Sequence, residues 1–499
     1  MSKLKQVAFV QPIAELLCDV LALRETVLNT LDVATLEALS QREEVYIAVV
    51  AAGGYEYTVA MLTVLAMGAA AVPITPALPV EEAAYFIEKS KSALVLVSSL
   101  DLKKCCELEK RVASTSNEHF RGVPIGSCIY APTLDPSEIL ISSDRALEEN
   151  APGVVIFTSG TTGPPKGAVM RRSFVFDCAL SVADHYRLAE DDVMLHVLPV
   201  HHATGVGINF FPFLISGSRI EFQSGGFDEL PSEDLAKYIA GARQFRACLC
   251  GTSALPQPLN DFWATLMQKK IVQRYGATEF GAVFKVRLDD KKVPDGSVGQ
   301  VASGVDIKLS DGDEGEVLVK SPYLRDPEAT AKAHDEDGYF RTGDIARREG
   351  TYYYIVGRAS LDIIKSGGYK ISALDIEREL LGLPYVAEAM VVGVADEEFG
   401  QRVAALISLQ EEDLTDSFLE TYGNADHILT IEDVRRDLRG RLAGYKLPTL
   451  LRIAPGELPK TATGKVQKKV LGPQFFPSNY ESYLEVQQWV MPNVHLAKL

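Results

Sequence analysis

Between residues 45 and 99 the chain alternates short β-branched runs with longer, helix-length apolar segments. The strand-like runs are VYIAVVAA, AAVPI and ALVLVSS, and the segments between them are TVAMLTVLAMG and EEAAYFIEKS. This alternation indicates βαβ units, in which helices cover a parallel sheet. The predicted fold class is therefore α/β, with a large N-terminal domain of βαβ sheets. A chain of 499 residues also exceeds the roughly 250–300 residues that one core usually serves, which predicts at least one further domain.

The pattern changes twice further along the chain. Past Gly281, alternating strands separated by D-G and E-G pairs (VDIKLSDGDEGEVLVKS) predict a small antiparallel or barrel-like sheet. After Gly357-Arg358 the order helix, strand, strand, helix predicts a small, mobile α+β domain. The predicted boundaries are an N-terminal domain over 1–357, a hinge over 358–362 and a C-terminal lid domain over 363–499.

Composition excludes some classes of function. The formal net charge of −17 argues against a nucleic-acid partner, because phosphate backbones need a basic face. The seven cysteines are irregularly spaced, which favours reduced thiols over disulfides or a metal site.

Two segments bear on membranes and targeting. Residues 57–80 are free of charge but contain three prolines, so we expect a buried helix leading into a strand rather than a membrane span. The chain ends in Ala497-Lys498-Leu499, one small-residue change from a peroxisomal address, and we expect a peroxisomal or a cytoplasmic protein.

The stretch FTSGTTGPPKGAVM, residues 157–170, has the composition of a phosphate-binding loop. Its glycines allow close approach of the backbone to an anion, and its hydroxyls and lysine supply donors and charge. The Walker pattern fails, since Gly167 rather than Ser or Thr follows Lys166. The candidate phosphate ligands are Thr158, Ser159, Gly160, Thr161, Thr162, Gly163 and Lys166.

This loop resembles the signature of the adenylate-forming superfamily, which includes acyl-CoA synthetases, nonribosomal-peptide adenylation domains and luciferases. Four further motifs follow in the order of that superfamily: RYGATE at 274–279, YFRTGD at 339–344, GR followed by KSGGYK at 357–370, and PKTATGK at 459–465. The resemblance runs from about residue 45 to about residue 470, and five motifs in order make it specific.

The resemblance implies a role for each matching residue. The 158–166 loop would hold the β- and γ-phosphates of ATP, Thr278 the α-phosphate, and Glu279 a Mg²⁺ ion. Asp344 would accept from the ribose hydroxyls with Arg358 beside it, and Lys465 would neutralise charge in the transition state. The nucleotide site would also include Gly251, Tyr275 stacked on adenine, and Gly276.

Three residues are implied in the acyl pocket, namely His202, Gly205 and Arg274. Malonyl-CoA synthetases, which the chain resembles most closely, carry arginine directly before the tyrosine motif. A guanidinium in that place suits a second carboxylate, because it offers bidentate recognition. The alternative for Arg274 is an internal ion pair at a strand end.

The hinge and the thiol channel are implied in the same way. Gly367 and Gly368 would line the pantetheine tunnel, and Ser360 stands at the hinge position where the superfamily usually has Asp or Lys. For Lys365, Lys370 and Arg402 we expect only a place on a solvated face.

The function predicted from the sequence is an ATP-dependent acid–CoA ligase for a short-chain or dicarboxylic acid. ATP, Mg²⁺ and CoA are the implied co-substrates and cofactor, with the carboxylic acid as the other small-molecule partner. The alternative is a free-standing adenylation enzyme that loads a carrier-protein thiol or an amine. A luciferase-like oxygenase and a non-catalytic nucleotide-binding relative share the motifs.

Overall fold

The computed structural model describes residues 13–129, 148–158, 165–223, 237, 239–251, 255, 257–290, 292–320, 333–410, 422–423, 427–460 and 465–489. The chain divides into two compact units. Unit 1 comprises residues 1–229, 277–282 and 321–332, and unit 2 comprises residues 230–276, 283–320 and 333–499. This partition does not test the predicted hinge at 358–362, which stays a prediction.

Unit 1 is built on a six-stranded sheet with the order β4-β3-β1-β2-β5-β6. All neighbours are parallel except β5 and β6, which form an antiparallel hairpin. The strands are β1 (Tyr46–Val50), β2 (Ala70–Ile74), β3 (Leu94–Val97), β4 (Arg121–Pro124), β5 (Pro152–Thr158) and β6 (Lys166–Arg171). The predicted parallel sheet is confirmed.

Helices flank this sheet, and a short two-stranded sheet follows it. The helices are α1 (Ile13–Thr30), α2 (Val33–Ser40), α3 (Tyr55–Ala66), α4 (Val80–Ser90), α5 (Leu102–Thr115), α6 (Arg172–Tyr186) and α7 (Phe211–Ile215). The added strands β7 (Val193–His196) and β8 (Arg219–Phe222) pair in parallel.

The charge-free stretch 57–80 forms most of α3 and all of β2. Within the described part of the chain, no helix is long and apolar enough to cross a membrane. Both faces of the sheet are buried, because β1 and β3 are continuous apolar runs of at most 1% exposure apart from Tyr46. Such runs are typical of parallel strands covered on both sides.

Among the described residues, three four-stranded sheets and one hairpin lie wholly or mostly in unit 2. The first sheet has the order β12-β11-β10-β9, and the second, β13-β14-β15-β16, is an antiparallel meander. Their strands are β9 (Leu249–Cys250), β10 (Val272–Ala277), β11 (Gly281–Lys285), β12 (Gln300–Val301), β13 (Ile307–Asp311), β14 (Glu314–Lys320), β15 (Tyr339–Glu349) and β16 (Tyr352–Arg358). The antiparallel sheet predicted after Gly281 is confirmed, and α8 (Gln257–Met267) lies between β9 and β10 in the chain.

The last part of unit 2 has the predicted order of elements. A hairpin, β17 (Ile363–Ser366) and β18 (Tyr369–Ser372), precedes α9 (Ala373–Leu380). Then come the long antiparallel pair β19 (Val386–Asp396) and β20 (Gly400–Leu409), α10 (Ile431–Leu438), β21 (Leu450–Ile453), α11 (Lys468–Phe475) and β22 (Gln487–Gln488). Helix α9 begins at a Ser372 N-cap and α10 at a Thr430 capping box, which fix where each helix starts.

Lys365 and Lys370 are exposed, as expected. Arg402 differs from the expectation of a solvated side chain. It is 17% exposed and lies 3.6 Å from Asp396 Oδ2 on the opposing strand of the β19–β20 hairpin. The antiparallel register brings Arg402 opposite Val394, which places its side chain beside the acid two residues further along β19.

Candidate active site

The phosphate-loop residues that the structure describes lie in unit 1, where β5 ends and β6 begins. Thr158 pairs with Lys166 at the loop end of this hairpin, and the Thr158 hydroxyl donates to the Lys166 carbonyl at 3.3 Å. The Lys166 side chain is exposed. Residues Ser159, Gly160, Thr161, Thr162 and Gly163 lie outside the described residues.

The place of β5 in the six-stranded sheet determines where this hairpin and its loop lie. Strand β5 lies beside the central strand β2, and its carboxyl end leads directly into the loop. In open α/β sheets, ligands bind at the carboxyl ends of the parallel strands. The hydroxyl of Tyr85 donates to the Pro165 carbonyl at 3.1 Å, which ties the far side of the loop to α4.

The predicted acyl-pocket residues of unit 1, His202 and Gly205, lie in one tight segment. The His202 amide donates to the Pro199 carbonyl at 3.1 Å, and the Thr204 amide donates to His202 Nδ1 at 3.2 Å. Gly205 begins a π-helical turn over Gly205–Phe210. A Cβ at Gly205 would lie 2.2 Å from the Pro199 carbonyl oxygen, so only glycine fits there.

His196, which the sequence did not single out, contacts this segment through a hydrogen bond. Its ring is 1% exposed, and Nε2 donates to the Gly205 carbonyl at 3.0 Å. Burial lowers the pKa of His196 below its usual value, against a smaller opposing effect of the backbone hydrogen bonds. A histidine closing a strand-like run (VMLH) was the available signal, but nothing in the sequence tied it to Gly205.

Arg274 and Gly251 lie side by side in unit 2. Strand β9 pairs in parallel with the first two residues of β10, with Cys250 opposite Gln273, so the next residues along the two segments are Gly251 and Arg274. Arg274 is 6% exposed. A Cβ at Gly251 would lie 2.5 Å from Cγ and 2.7 Å from Nε of Arg274, so the absence of a side chain at Gly251 makes room for the arginine.

Asp344 accepts hydrogen bonds from two other residues of unit 2 that are predicted for the nucleotide site, Tyr275 and Arg358. Its Oδ2 accepts from the Tyr275 hydroxyl at 2.7 Å, and its Oδ1 accepts from Arg358 Nε at 2.9 Å. The register of β15 and β16 places Asp344 directly opposite Arg358. The pKa of Tyr275 is raised well above its usual value. Burial is the largest cause and the charge of Asp344 the next, so Tyr275 stays a neutral donor.

The residues after Tyr275 are close to it in the chain. Gly276 lies in β10, Thr278 is 7% exposed and Glu279 is half-buried in the turn before β11. In the described ranges no group of three His, Cys, Asp or Glu side chains could hold a metal ion. A single carboxylate at Glu279 still fits Mg²⁺, because this ion usually takes one or two protein carboxylates together with substrate phosphates.

The residues predicted for the hinge and the pantetheine channel lie around the β17–β18 hairpin. Gly367 and Gly368 form its two-residue turn with φ values of 55° and 84°. Two successive positive φ angles make a type I′ turn, which accounts for both glycines structurally. Ser360 is exposed, just beyond β16.

Lys465 is exposed and lies three residues before α11, in the same unit as Asp344 and Arg358. Its neighbour Val466 forms an antiparallel bridge with Lys460. The rest of the lysine motif, residues 461–464, lies outside the described residues.

Comparison with known proteins places the chain in a family. The protein-family model described as "AMP-binding enzyme" matches residues 34–242 and 227–324. The family model described as "AMP-binding enzyme C-terminal domain" matches residues 375–465.

The relatives share most of their length with this chain. A CoA ligase of Gibberella moniliformis is 32% identical and covers 85% of this chain and 84% of the relative. The mitochondrial malonate–CoA ligase of Mus musculus is 30% identical over 85% of this chain and 81% of the relative.

Among solved structures, ATP-bound MatB from Rhodopseudomonas palustris is similar in fold. Its TM-score is 0.75 at 23% identity, and the match covers 94% of each chain. The chain belongs to the AMP-binding enzyme family and is an acyl-CoA synthetase of the adenylate-forming superfamily.

Proposed function

We propose that this AMP-forming acid–CoA ligase acts on malonate or a closely similar short dicarboxylate. The observation that carries the proposal is the burial of Arg274, a guanidinium 6% exposed within β10 and beside Gly251. A guanidinium can bind the second carboxylate of a dicarboxylic acid with bidentate geometry. The name of the mouse relative, malonate–CoA ligase, supports the same substrate class.

In the first half-reaction a carboxylate oxygen attacks the α-phosphorus of ATP, and pyrophosphate leaves. Negative charge moves onto the departing phosphates, so positioned cations and N–H donors supply most of the catalysis. We assign the hold on the β- and γ-phosphates to residues 158–166 and the contact with the α-phosphate to Thr278. Glu279 would hold Mg²⁺ against the phosphates, and Lys465 would neutralise charge between the acid and the α-phosphate.

The nucleoside is assigned to Asp344. Each of its carboxylate oxygens already accepts one hydrogen bond, from Tyr275 or from Arg358. A carboxylate oxygen has two lone pairs, so both remain able to accept from the ribose hydroxyls. The pair of donors fixes the direction of those lone pairs before the nucleotide arrives.

In the second half-reaction the CoA thiol attacks the acyl carbon of the adenylate, AMP leaves, and the thiol proton is lost to solvent or a base. We assign the passage of the pantetheine arm to the Gly367-Gly368 turn, where a backbone without Cβ leaves the turn narrow. The acyl chain is assigned to the pocket of His202 and Gly205.

The activity is tested with the purified full-length chain, ATP, Mg²⁺ and a panel of malonate, methylmalonate, succinate, acetate and butyrate, with and without CoA. We expect acid-dependent pyrophosphate release and an acyl-CoA product by mass spectrometry, greatest with malonate. Pyrophosphate release without any thioester would refute the CoA-ligase assignment and favour a carrier-protein or amine acceptor.

The role of Arg274 is tested separately. We expect Arg274→Ala to lower kcat/KM for malonate by about 100-fold, since losing a charged hydrogen-bonded pair costs about 1.5–3 kcal/mol or more. Activity on butyrate should change little. The control is Arg435→Ala, which removes another buried guanidinium of unit 2, 5% exposed and bonded to the carbonyls of Leu447 and Pro448. Equal losses on malonate and butyrate in the Arg274 variant would disprove distal-carboxylate recognition.

A further inference from the structure

A largely buried ammonium group, that of Lys468, lies between two carboxylates at the start of α11. Its Nζ is 2.6 Å from Asp362 Oδ1 and 2.7 Å from Glu377 Oε1, and each of the three side chains is 13% exposed. Burying three charges is expensive, and such clusters are weak evidence for stability alone. The best-attested use of a buried ion cluster is to fix the register of the segments that carry it.

Each carboxylate has a second partner, in a different segment. Oδ2 of Asp362 accepts from the Arg358 amide at 3.0 Å, and Oε1 of Glu377 accepts from the Val391 amide at 2.6 Å. Lys468 is therefore connected to the turn after β16 through one acid, and to α9 and β19 through the other.

The turn after β16 is itself tightly constrained. Gly357 has φ +140°, and a Cβ there would lie 2.6 Å from Asp362 Cβ. The Asp362 amide donates to the Arg358 carbonyl at 2.7 Å, so the backbone and the side chain of Asp362 both bond to Arg358. Asp362 is thus held against Arg358 by hydrogen bonds that do not involve Lys468.

Lys468 also lies near the assigned reactive lysine. It is three residues after Lys465, and Val466 between them is bridged to Lys460. The Lys460 ammonium pairs with Glu388 of β19. The backbone that carries Lys465 is thus held on its C-terminal side at two points, Val466 and Lys468, while the Lys465 side chain stays exposed.

The charges of the cluster favour a stable contact between Lys468 and the two acids. One cation faces two acids, and burial raises the pKa of Glu377 despite the neighbouring ammonium. Burial opposes the charge on Lys468, but the carboxylates of Glu377 and Asp362 outweigh it and raise its pKa. Lys468 therefore stays protonated at neutral pH.

We propose that Lys468 is a positioning residue for acyl-adenylate formation. Through Asp362 it holds the Lys465 segment in register with Arg358, whose side chain pairs with the ribose-binding acid Asp344. The inference rests on the proposed function, in which Lys465 acts on the reacting carboxylate and phosphate. Lys468 itself touches neither.

The test measures acid-dependent ATP–pyrophosphate exchange and AMP affinity in Lys468→Met. We expect kcat for exchange to fall about 10- to 100-fold, because a displacement of about 1 Å in a reacting group has this effect. AMP affinity and the KM for ATP should stay within about threefold, since the Asp344–Arg358 side-chain pair is intact. Lys468→Arg, which keeps the charge, should recover most of the rate. Lys469→Met, an exposed lysine on the same helix, should leave it unchanged.

A double-variant cycle separates positioning from general stability. If Lys468 acts only through Lys465, then Lys465→Ala/Lys468→Met will be no slower than Lys465→Ala alone. The inference would be overturned if the rate losses of the two single variants multiply in the double variant. It would also be overturned if the fall of kcat in Lys468→Met matches a loss of AMP-binding sites. Wild-type enzyme without exchange on any acid would overturn the proposed function first, and an unaffected Lys465→Ala would remove the role on which Lys468 depends.

Discussion

The hydroxyl of Tyr275 donates a 2.7 Å hydrogen bond to Oδ2 of Asp344, an acid that is 13% exposed. The tyrosine ring meanwhile stacks on Phe284 at 5.6 Å between centroids. The resemblance implies that the ring of Tyr275 stacks on adenine, and the hydrogen bond gives its hydroxyl a separate role. It orients the carboxylate assigned to the ribose.

We expect Tyr275→Phe to weaken AMP binding although the ring is kept. One hydrogen bond to a charged group is lost, which costs about 1.5–3 kcal/mol, or roughly 10- to 100-fold in Kd. Isothermal titration with AMP measures the change. Tyr352→Phe is the matched control, because the Tyr352 hydroxyl donates to another aspartate of unit 2, Asp290. Unchanged AMP affinity in Tyr275→Phe would show that Arg358 alone suffices to orient Asp344.

Most of the fold follows from the sequence, because the spacing of apolar residues in the strands β1 and β2 differs clearly from that in the helix α3. Residue types at the site were also predictable, since five motifs name them. The hydrogen-bond partners of these residues were not predictable. Tyr275 and Asp344 are 69 residues apart, and only the register of β15 and β16 brings Asp344 opposite Arg358. Lys468 gave no signal at all, because a lysine near a lysine-rich motif is usually a solvated charge.

Gly251 offers a test of how Arg274 is placed. We expect Gly251→Ala to lower kcat/KM for malonate about tenfold or more with little change for butyrate, because the added Cβ would lie 2.5 Å from Arg274 Cγ and force the guanidinium aside. Gly241→Ala is the control, since a Cβ there meets nothing within 4 Å. A uniform loss on both acids would instead indicate that Gly251 serves the nucleotide site.

The buried His196 predicts a dependence of stability on pH. Its pKa is lowered in the folded chain, so the unfolded chain binds a proton first as pH falls. This contribution to stability is complete above the ordinary value of about 6.5 and declines below it, by at most about 1.4 kcal/mol per pH unit. Urea unfolding at pH 7.5, 6.5 and 5.5 measures the slope.

His196→Gln removes that titrating group and should flatten the slope, whereas His119→Gln, at an exposed site 68% accessible, should leave it unchanged. Burial also lowers the pKa of His201, so part of the slope should remain in the His196 variant. An identical slope in wild type and His196→Gln would contradict the assignment.

The turn at Gly367-Gly368 separates a structural requirement from a role in thioester formation. Asparagine tolerates positive φ at the first position of a type I′ turn, so Gly367→Asn should fold with little loss of stability. If the turn lines the pantetheine path, the added side chain should still slow acyl-CoA formation by tenfold or more while pyrophosphate exchange stays within twofold. The two half-reactions are measured separately, the second by mixing CoA with enzyme-bound acyl-adenylate. Gly312→Asn makes the same change in the β13–β14 turn, where φ is +60° and a Cβ meets nothing within 4 Å. Equal rates of thioester formation in these two variants would leave Gly367 with the role of a turn residue alone.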